Sequence, residues 1–138
     1  MKKIDTKTVS ELLRSHGISP TSQRVKIAIA LFSEMTHHSA DQILAVVNRS
    51  KAEVSKATVY NTLSLFLKKG LIREVIVDPN KVLYDPNTSE HHHFYDVITG
   101  ELRDIDASIV SIPELPPLPR NSIFEGLDII IRTRPATA

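Results

Sequence analysis

Apolar positions in the first half of the chain recur with a helical period; in the second half they alternate or fall in short blocks. Val9, Leu12 and Leu13 form a short stripe after Thr6 or Thr8, and Gly17 closes that helix. Pro20-Thr21 opens a second helix with Val25, Ala28, Ile29 and Phe32 at i, i+3, i+4 and i+7. Ile27 and Leu31 widen its apolar face, so it is expected at the centre of its unit. Ser39-Ala40-Asp41-Gln42 has the form of a capping box before a helix that buries Ile43, Leu44, Val46 and Val47. Ser55 is expected to cap a fourth helix, with Val59, Leu63, Phe66 and Leu67 inside and Gly70 just past its end.

The period then changes to that of strands. Leu71 to Val77 is a β-rich run, Asp78-Pro79-Asn80-Lys81 a turn, and Val82-Leu83-Tyr84 the returning strand. Helices followed by a hairpin with a basic tip predict a winged helix-turn-helix, with Arg73 and Lys81 beside a sugar-phosphate backbone. Asp85-Pro86-Asn87-Thr88-Ser89 has linker composition. Beyond it, Phe94–Ile98 and Glu101–Ile105 flank Thr99-Gly100, read as a two-residue hairpin turn. That turn sets Tyr95 opposite Asp104 and His93 opposite Asp106. From Asp106 to Arg120, Pro113, Pro116, Pro117 and Pro119 exclude a continuous helix. Gly126 to Arg132 is a last β-forming run.

The expected fold class is therefore α+β. A winged-helix DNA-binding domain spans residues 1–85, a hinge 86–89, and a small α/β dimerisation and metal-sensing domain 90–138. Three strands with open edges over a thin core predict a homodimer built through residues 90–132.

Composition narrows the function. Hydrophobic residues make up 41% and charged residues 24%, and no apolar run is long enough to span a membrane. Met1-Lys2-Lys3-Ile4-Asp5 lacks a signal-peptide core, so a cytoplasmic location is expected. The absence of cysteine excludes disulfides, thiolate catalysis and cysteine-ligated structural zinc. The net charge of +1 is uneven: residues 1–82 carry 13 Lys/Arg against 7 Asp/Glu, and residues 83–138 carry 4 against 9. A basic half joined to an acidic half points to a polyanion-binding module and something else. No Gly-rich phosphate loop, Gly-x-Ser-x-Gly elbow or His-Glu-x-x-His pair is present, and no enzymatic activity is expected.

Two constellations carry chemistry. The fourth helix turns outward Lys56, Ala57, Thr58, Tyr60, Asn61, Ser64 and Lys68, with no acid among them. A helix in a DNA major groove needs that set: donors and acceptors for base edges, and no repulsion from phosphates. The other is His91-His92-His93. In a strand, His91 and His93 share one face and His92 takes the other. Asp104 and Asp106 fall on the face of His91 and His93 in the expected register, and spacing leaves both open. Imidazole and carboxylate are ligands that iron, manganese and zinc accept.

Gly17-Ile18-Ser19-Pro20-Thr21-Ser22-Gln23-Arg24, His37-His38-Ser39-Ala40-Asp41 and Ala57-Thr58-Val59-Tyr60-Asn61-Thr62-Leu63 stand in fixed order, followed by the histidine run and Gly100-Glu101-Leu102-Arg103-Asp104. Together they resemble the ferric uptake regulator (Fur) superfamily of bacterial metal-responsive repressors. The resemblance implies a regulatory site of His37, Asp85, His91, His93 and Asp104, thus favouring Asp104 over Asp106. It suits Fe(II), with Mn(II) or Zn(II) in its place. It also implies a dimer on a pseudo-palindromic double-stranded operator, with Tyr60 on thymine methyls and Asn61 or Ser64 on base edges. Arg24, Lys26, Lys56, Lys68 and Lys81 would neutralise phosphates.

The chain departs from most of that superfamily. Asp96 and Thr99 stand where a first Cys-x-x-Cys pair is usual, a second pair is missing, and the proline segment replaces a dimerisation helix. With the histidine triplet, these features look most like the iron response regulator (Irr) branch, in which haem as well as iron tunes DNA binding. His91, His92 and His93 are then haem candidates, although there is no Cys-Pro haem motif. The alternatives are a peroxide-sensing (PerR-like) or manganese-responsive repressor and, more remotely, a non-haem iron enzyme or a metal-independent DNA-architectural protein.

Overall fold

Four helices come first: α1 (Thr6–Ser15), α2 (Ser22–Glu34), α3 (Ala40–Val47) and α4 (Lys56–Lys68). The computed structural model describes residues 4–34, 37–78, 80–111 and 114–137. Pro79 of the expected wing turn and Pro113 of the proline segment lie outside the described residues. Helix starts follow the supply of side-chain oxygens for orphan amides. Asp5, rather than Thr6 or Thr8, caps α1, its carboxylate accepting from the Thr8 amide at 2.7 Å. That amide holds the Asp5 carboxyl below its ordinary 3.8. Ser39 and Gln42 close the predicted capping box, with bonds of 3.2 and 2.8 Å. Ser55 caps α4 through the Thr58 amide at 3.1 Å.

Helices α1 and α4 end alike. Gly17 and Gly70 take φ of +74° and +73°, and the amides of Ile18 and Leu71 reach back 2.9 Å to the carbonyls of Leu13 and Phe66. This is the Schellman arrangement, which drops the following hydrophobic residue onto the core; Ile18 and Leu71 are both buried. Leu71 and Ile72 therefore complete the helical core instead of starting a strand.

The core joins Val9 and Leu13, Ile27, Ala28 and Leu31, Ile43, and Val59, Leu63 and Phe66. As expected, α2 is central and packs on α1, α3 and α4. Its most buried stripe runs through Ile27, Ala28 and Leu31, with Ile29 and Phe32 at the margin.

Strands β1 (Arg73–Asp78) and β2 (Lys81–Asp85) pair antiparallel as the wing, with Arg73 opposite Asp85 and Glu74 opposite Tyr84. The Asn80 amide donates to Asp78 Oδ1 at 2.8 Å around the tip. Asp85 is the buried last residue of β2, not part of a linker. The chain resolves into two compact units, Met1–Thr88 and Ser89–Ala138.

The second unit holds β3 (His91–Asp96), β4 (Leu102–Asp106) and β5 (Ile130–Thr133), in the order β4-β3-β5. β4 is antiparallel to β3 and β5 parallel to it. The β3/β4 register corrects the two-residue turn: His93 faces Asp104, His91 faces Asp106 and Tyr95 faces Leu102. Asp96 is the cause. Its Oδ1 accepts from the amides of Ile98 and Thr99 at 2.8 and 2.9 Å, and Gly100, at φ +79°, donates to the Asp96 carbonyl at 2.8 Å. The loop thus spans residues 97–100, and the ladder slips by two positions. A slip of two keeps every side chain on its face; a slip of one would reverse them. The last strand is confined to Ile130–Thr133, shorter than the β-forming run. Among the described residues no helix is long and apolar enough to cross a membrane.

Candidate functional site

In the first unit the site begins with a bridge that the sequence did not reveal. His38 and Tyr84 exchange main-chain hydrogen bonds of 3.2 and 2.7 Å as an isolated antiparallel bridge. One step outward along such a pair, residue 37 comes opposite residue 85. His37 Nε2 accordingly lies 3.0 Å from Asp85 Oδ2, with both side chains almost out of water. The Asn87 amide donates to Asp85 Oδ1 at 2.9 Å and fixes the carboxylate's orientation.

In the second unit His91 and His93 share a face of β3 and are both buried. Their rings meet edge to face, centroids 4.6 Å apart. Asp104 Oδ1 lies 3.4 Å from His93 Nε2 and 3.7 Å from His91 Nε2. His91 Nδ1 sits 2.6 Å from the Ser89 carbonyl, so it carries the proton, and the lone pair of the neutral ring is on Nε2. That lone pair beside a carboxylate is repulsive unless a cation lies between them. A carbonyl holding the far nitrogen of a histidine is also the usual outer support of a metal ligand. The donor set therefore fits a divalent ion.

Asp106, the other acid left open by spacing, is engaged elsewhere. Its Oδ1 accepts from the Ser108 hydroxyl at 2.7 Å and amide at 2.9 Å, capping the 3-10 turn Ala107–Ile109. Those bonds, the hydroxyl's foremost, hold its carboxyl below the ordinary value. His92 lies on the opposite face from His91 and His93, buried, with Nδ1 accepting from the Ile129 amide at 3.1 Å. That leaves Nε2 as its protonated nitrogen when neutral. Together with the bond from the His93 amide to the Ile129 carbonyl at 3.0 Å, it seats the chain entering β5. Sequence reasoning missed this role; the residue type signalled only ligand chemistry.

On α4, Lys56, Ala57, Tyr60, Asn61, Ser64 and Lys68 are exposed as expected. Thr58 is less exposed than expected: it is half-buried, and its Oγ1 accepts from the Ser55 hydroxyl at 2.9 Å, so it also supports the cap. A groove between the start of α2 and the face of α4 is lined by Thr21, Gln23, Arg24, Thr58 and Asn61, with no acid in its walls. Arg24 Nη1 donates to the Ser19 carbonyl at 3.1 Å, which holds its side chain along that groove. Two of the expected phosphate-neutralising cations have acidic neighbours that the sequence pattern did not suggest. Lys26 pairs with Glu53. Lys56 Nζ lies 3.6 Å from Asp41 Oδ1 and 5.8 Å from the centre of the Tyr60 ring. Lys81 is exposed at the wing tip.

The sequence model described as the ferric uptake regulator family matches residues 15–115. The peroxide-responsive repressor PerR of Staphylococcus aureus is 34% identical over 92 residues, 67% of this chain. The match spans 62% of the length of that curated relative. Among solved structures, the ferric uptake regulator of Pseudomonas aeruginosa with manganese has a TM-score of 0.69 at 24% identity, covering 93% of this chain and 98% of that one. The regulator of Francisella tularensis with iron has a TM-score of 0.67 at 18% identity, covering 85% and 91%. Both are likenesses of fold.

Proposed function

The chain belongs to the ferric uptake regulator family, and from that premise we propose that it is a metal-responsive, homodimeric DNA-binding transcriptional regulator of iron homeostasis, and not an enzyme. The observation that carries this reading is a pair of donor sets: His37 beside the buried Asp85 in one unit, and the buried His91 and His93 beside the exposed Asp104 in the other. All five side chains would hold one ion. Fe(II), or Mn(II) or Zn(II) in its place, supplies a divalent charge for which neutral imidazoles and carboxylates are fitting donors. The Ser89 carbonyl presents His91 Nε2, and the Asn87 amide presents Asp85.

Ligation of one ion by side chains of both units would make metal occupancy and the placement of the winged helix one equilibrium. Occupancy shifts that placement only by as much as the two arrangements differ in metal affinity. The acid-free face of α4 supports double-stranded DNA as the partner, with Tyr60, Asn61 and Ser64 towards base edges and Arg24, Lys26, Lys56, Lys68 and Lys81 towards phosphates. Homodimerisation is supported by how little the second unit encloses. Among its described residues only Tyr95 and Ile105 are buried hydrophobics, while Ile123, Phe124 and Ile131 are exposed and two strand edges are open.

The test is affinity for a duplex selected by the metal-loaded protein, measured anaerobically with and without Fe(II). Wild type is expected to respond to the metal and His93→Ala to lose the response; an undiminished response in His93→Ala refutes the site.

A second reading follows from the curated relative named as a peroxide-responsive repressor. Here Fe(II) at the site would react with peroxide and oxidise His37 or His91. Peptide mass spectrometry after peroxide would show the added oxygen on one of them. Within the first reading, the histidine triplet and the cysteine-free chain support the Irr-like branch, with haem as a second effector contacted through His91, His92 or His93. Haem titration followed by absorption decides it, since His92→Asn would then alter the haem spectrum.

A further inference from the structure

The connection from α3 to α4, residues 48–55, contains neither helix nor strand, yet it sets where α4 starts. One side chain spans it. Asn48 is fixed to α3 as its C-cap, its main-chain amide donating to the Leu44 carbonyl at 3.2 Å. Its side-chain Oδ1 accepts from the amides of Glu53 and Val54 at 3.1 and 3.0 Å. Its Nδ2 donates to the Val54 carbonyl at 2.7 Å. Only this orientation of the half-buried carboxamide offers an acceptor to two amides and a donor to a carbonyl. Val54 is thus gripped at both of its main-chain groups, while its side chain is seated in the helical core. Ser55, the next residue, is the N-cap of α4. A second tie, from Glu53 to Lys26 of α2, lies at the surface and is individually weak.

We infer that Asn48 is a positioning residue for base reading: through Val54 and Ser55 it fixes the angle and depth at which α4 presents Tyr60, Asn61 and Ser64 to DNA. This assignment rests on the DNA-binding reading proposed above and gives part of its sequence selection to a residue outside α4. The buried stripe of α4, Val59, Leu63 and Phe66, holds the helix to the core by contacts that have no preferred direction. The three hydrogen bonds of the Asn48 side chain supply direction at the end of α4 where it begins. Contacts to base edges need their donors and acceptors held to within about 0.5 Å. A lysine on its flexible stem reaches a phosphate from a wider range of helix positions. Loosening the turn should therefore cost base selection more than it costs general attraction to DNA.

The test is a discrimination ratio: affinity for the selected duplex over affinity for duplexes changed at one base pair, measured with the full chain loaded with Mn(II). Partial unfolding scales every affinity by the same folded fraction and cancels from the ratio. A role in stability alone therefore does not move it. Wild type is expected to show a ratio of about ten or more at its best-selected position. In Asn48→Ala that ratio should fall about three-fold or more, while the slope of log affinity against log salt stays as in wild type. Asn48→Asp keeps an acceptor for both amides but sets a second oxygen against the Val54 carbonyl. Its ratio should lie between those of Asn48→Ala and wild type, and it decides the matter alone should Asn48→Ala fail to fold. A ratio equal to wild type, or one that falls only together with the salt slope, overturns the inference and leaves the DNA-binding reading intact. A wild-type chain with no preference among duplexes, loaded with Mn(II) or with Fe(II), removes that reading and this inference with it.

Discussion

Asp104 stands directly across the β3/β4 ladder from His93, its carboxylate oxygen 3.4 Å from Nε2. Asp106, across from His91, instead turns its carboxylate onto Ser108. Two acids on one face are thereby given different work by their hydrogen bonds. Asp104→Asn removes an anionic donor and is expected to weaken Mn(II) binding at least about 100-fold, beyond the 10- to 100-fold typical of outer supports. Asp106→Asn keeps an acceptor for the cap and should bind Mn(II) as wild type does, with little change in stability. Calorimetric titration of both variants checks the pair. Equal losses in the two would mean that the ladder does not choose between them.

His92 makes a separate case, because its nearest role is structural. Its Nδ1 accepts the Ile129 amide at 3.1 Å in a buried position. Replacing it by Phe leaves that amide without its acceptor, a loss of about 1–3 kcal/mol. His92→Asn places an oxygen near the position of Nδ1 and should recover part of the loss. Thermal unfolding of both variants, with Mn(II) titration alongside, separates this from a ligand role. The Phe variant is expected to melt earlier yet to respond to Mn(II).

How far the fold could be read depended on whether a signal was local. The caps at Ser39 and Ser55 and the glycines at 17 and 70 are each written within four or five residues, and the structure has them as expected, while the buried stripe of α4 keeps Val59, Leu63 and Phe66, adds Thr62 and leaves Leu67 at its margin. The β3/β4 register was misplaced because Thr99-Gly100 resembles a two-residue turn, whereas the longer loop depends on the Asp96 side chain binding two amides. His91 and His93 were visible from strand alternation alone. His37 was not, since its approach to Asp85 depends on a bridge between residues 38 and 84, far apart in sequence. Thr58 sits at a position that helical spacing turns outward, and the bond from the neighbouring Ser55 hydroxyl, which leaves it half-buried, is not part of that spacing.

Acid sensitivity follows from the capping carboxylates. The amides of Thr99 and Ile98 hold the Asp96 carboxyl below its ordinary 3.8, and the Ser108 hydroxyl and amide do the same for Asp106. An acid whose folded pKa is depressed contributes stability that is present above the unfolded value and lost as pH falls through the folded one. The contribution of this pair should therefore be constant at neutral pH and disappear below about pH 4. Asn retains the acceptor oxygen without the charge. The double variant Asp96→Asn/Asp106→Asn is thus expected to lose less stability between pH 5 and 3 than wild type, measured as Tm against pH. Parallel curves would show that neither carboxylate is linked to folding.

Salt dependence distinguishes the cations of α4 and the wing from its polar readers. Lys56 and Lys81 lie exposed on the faces that would meet a phosphate backbone, and each contact made there releases counterions. Lys81→Ala should weaken binding to all duplexes alike and lower the slope of log affinity against log salt by about 1. Lys56→Ala should do so less fully, because Asp41 at 3.6 Å already competes for the same ammonium. Asn61→Ala is expected to leave the slope alone and to cost about 1–3 kcal/mol against the preferred base only, relaxing selection at one position. Titrations of selected and scrambled duplexes at several salt concentrations give both quantities. A changed slope in Asn61→Ala, or an unchanged one in Lys81→Ala, would show that helix and wing do not meet DNA in the orientation proposed.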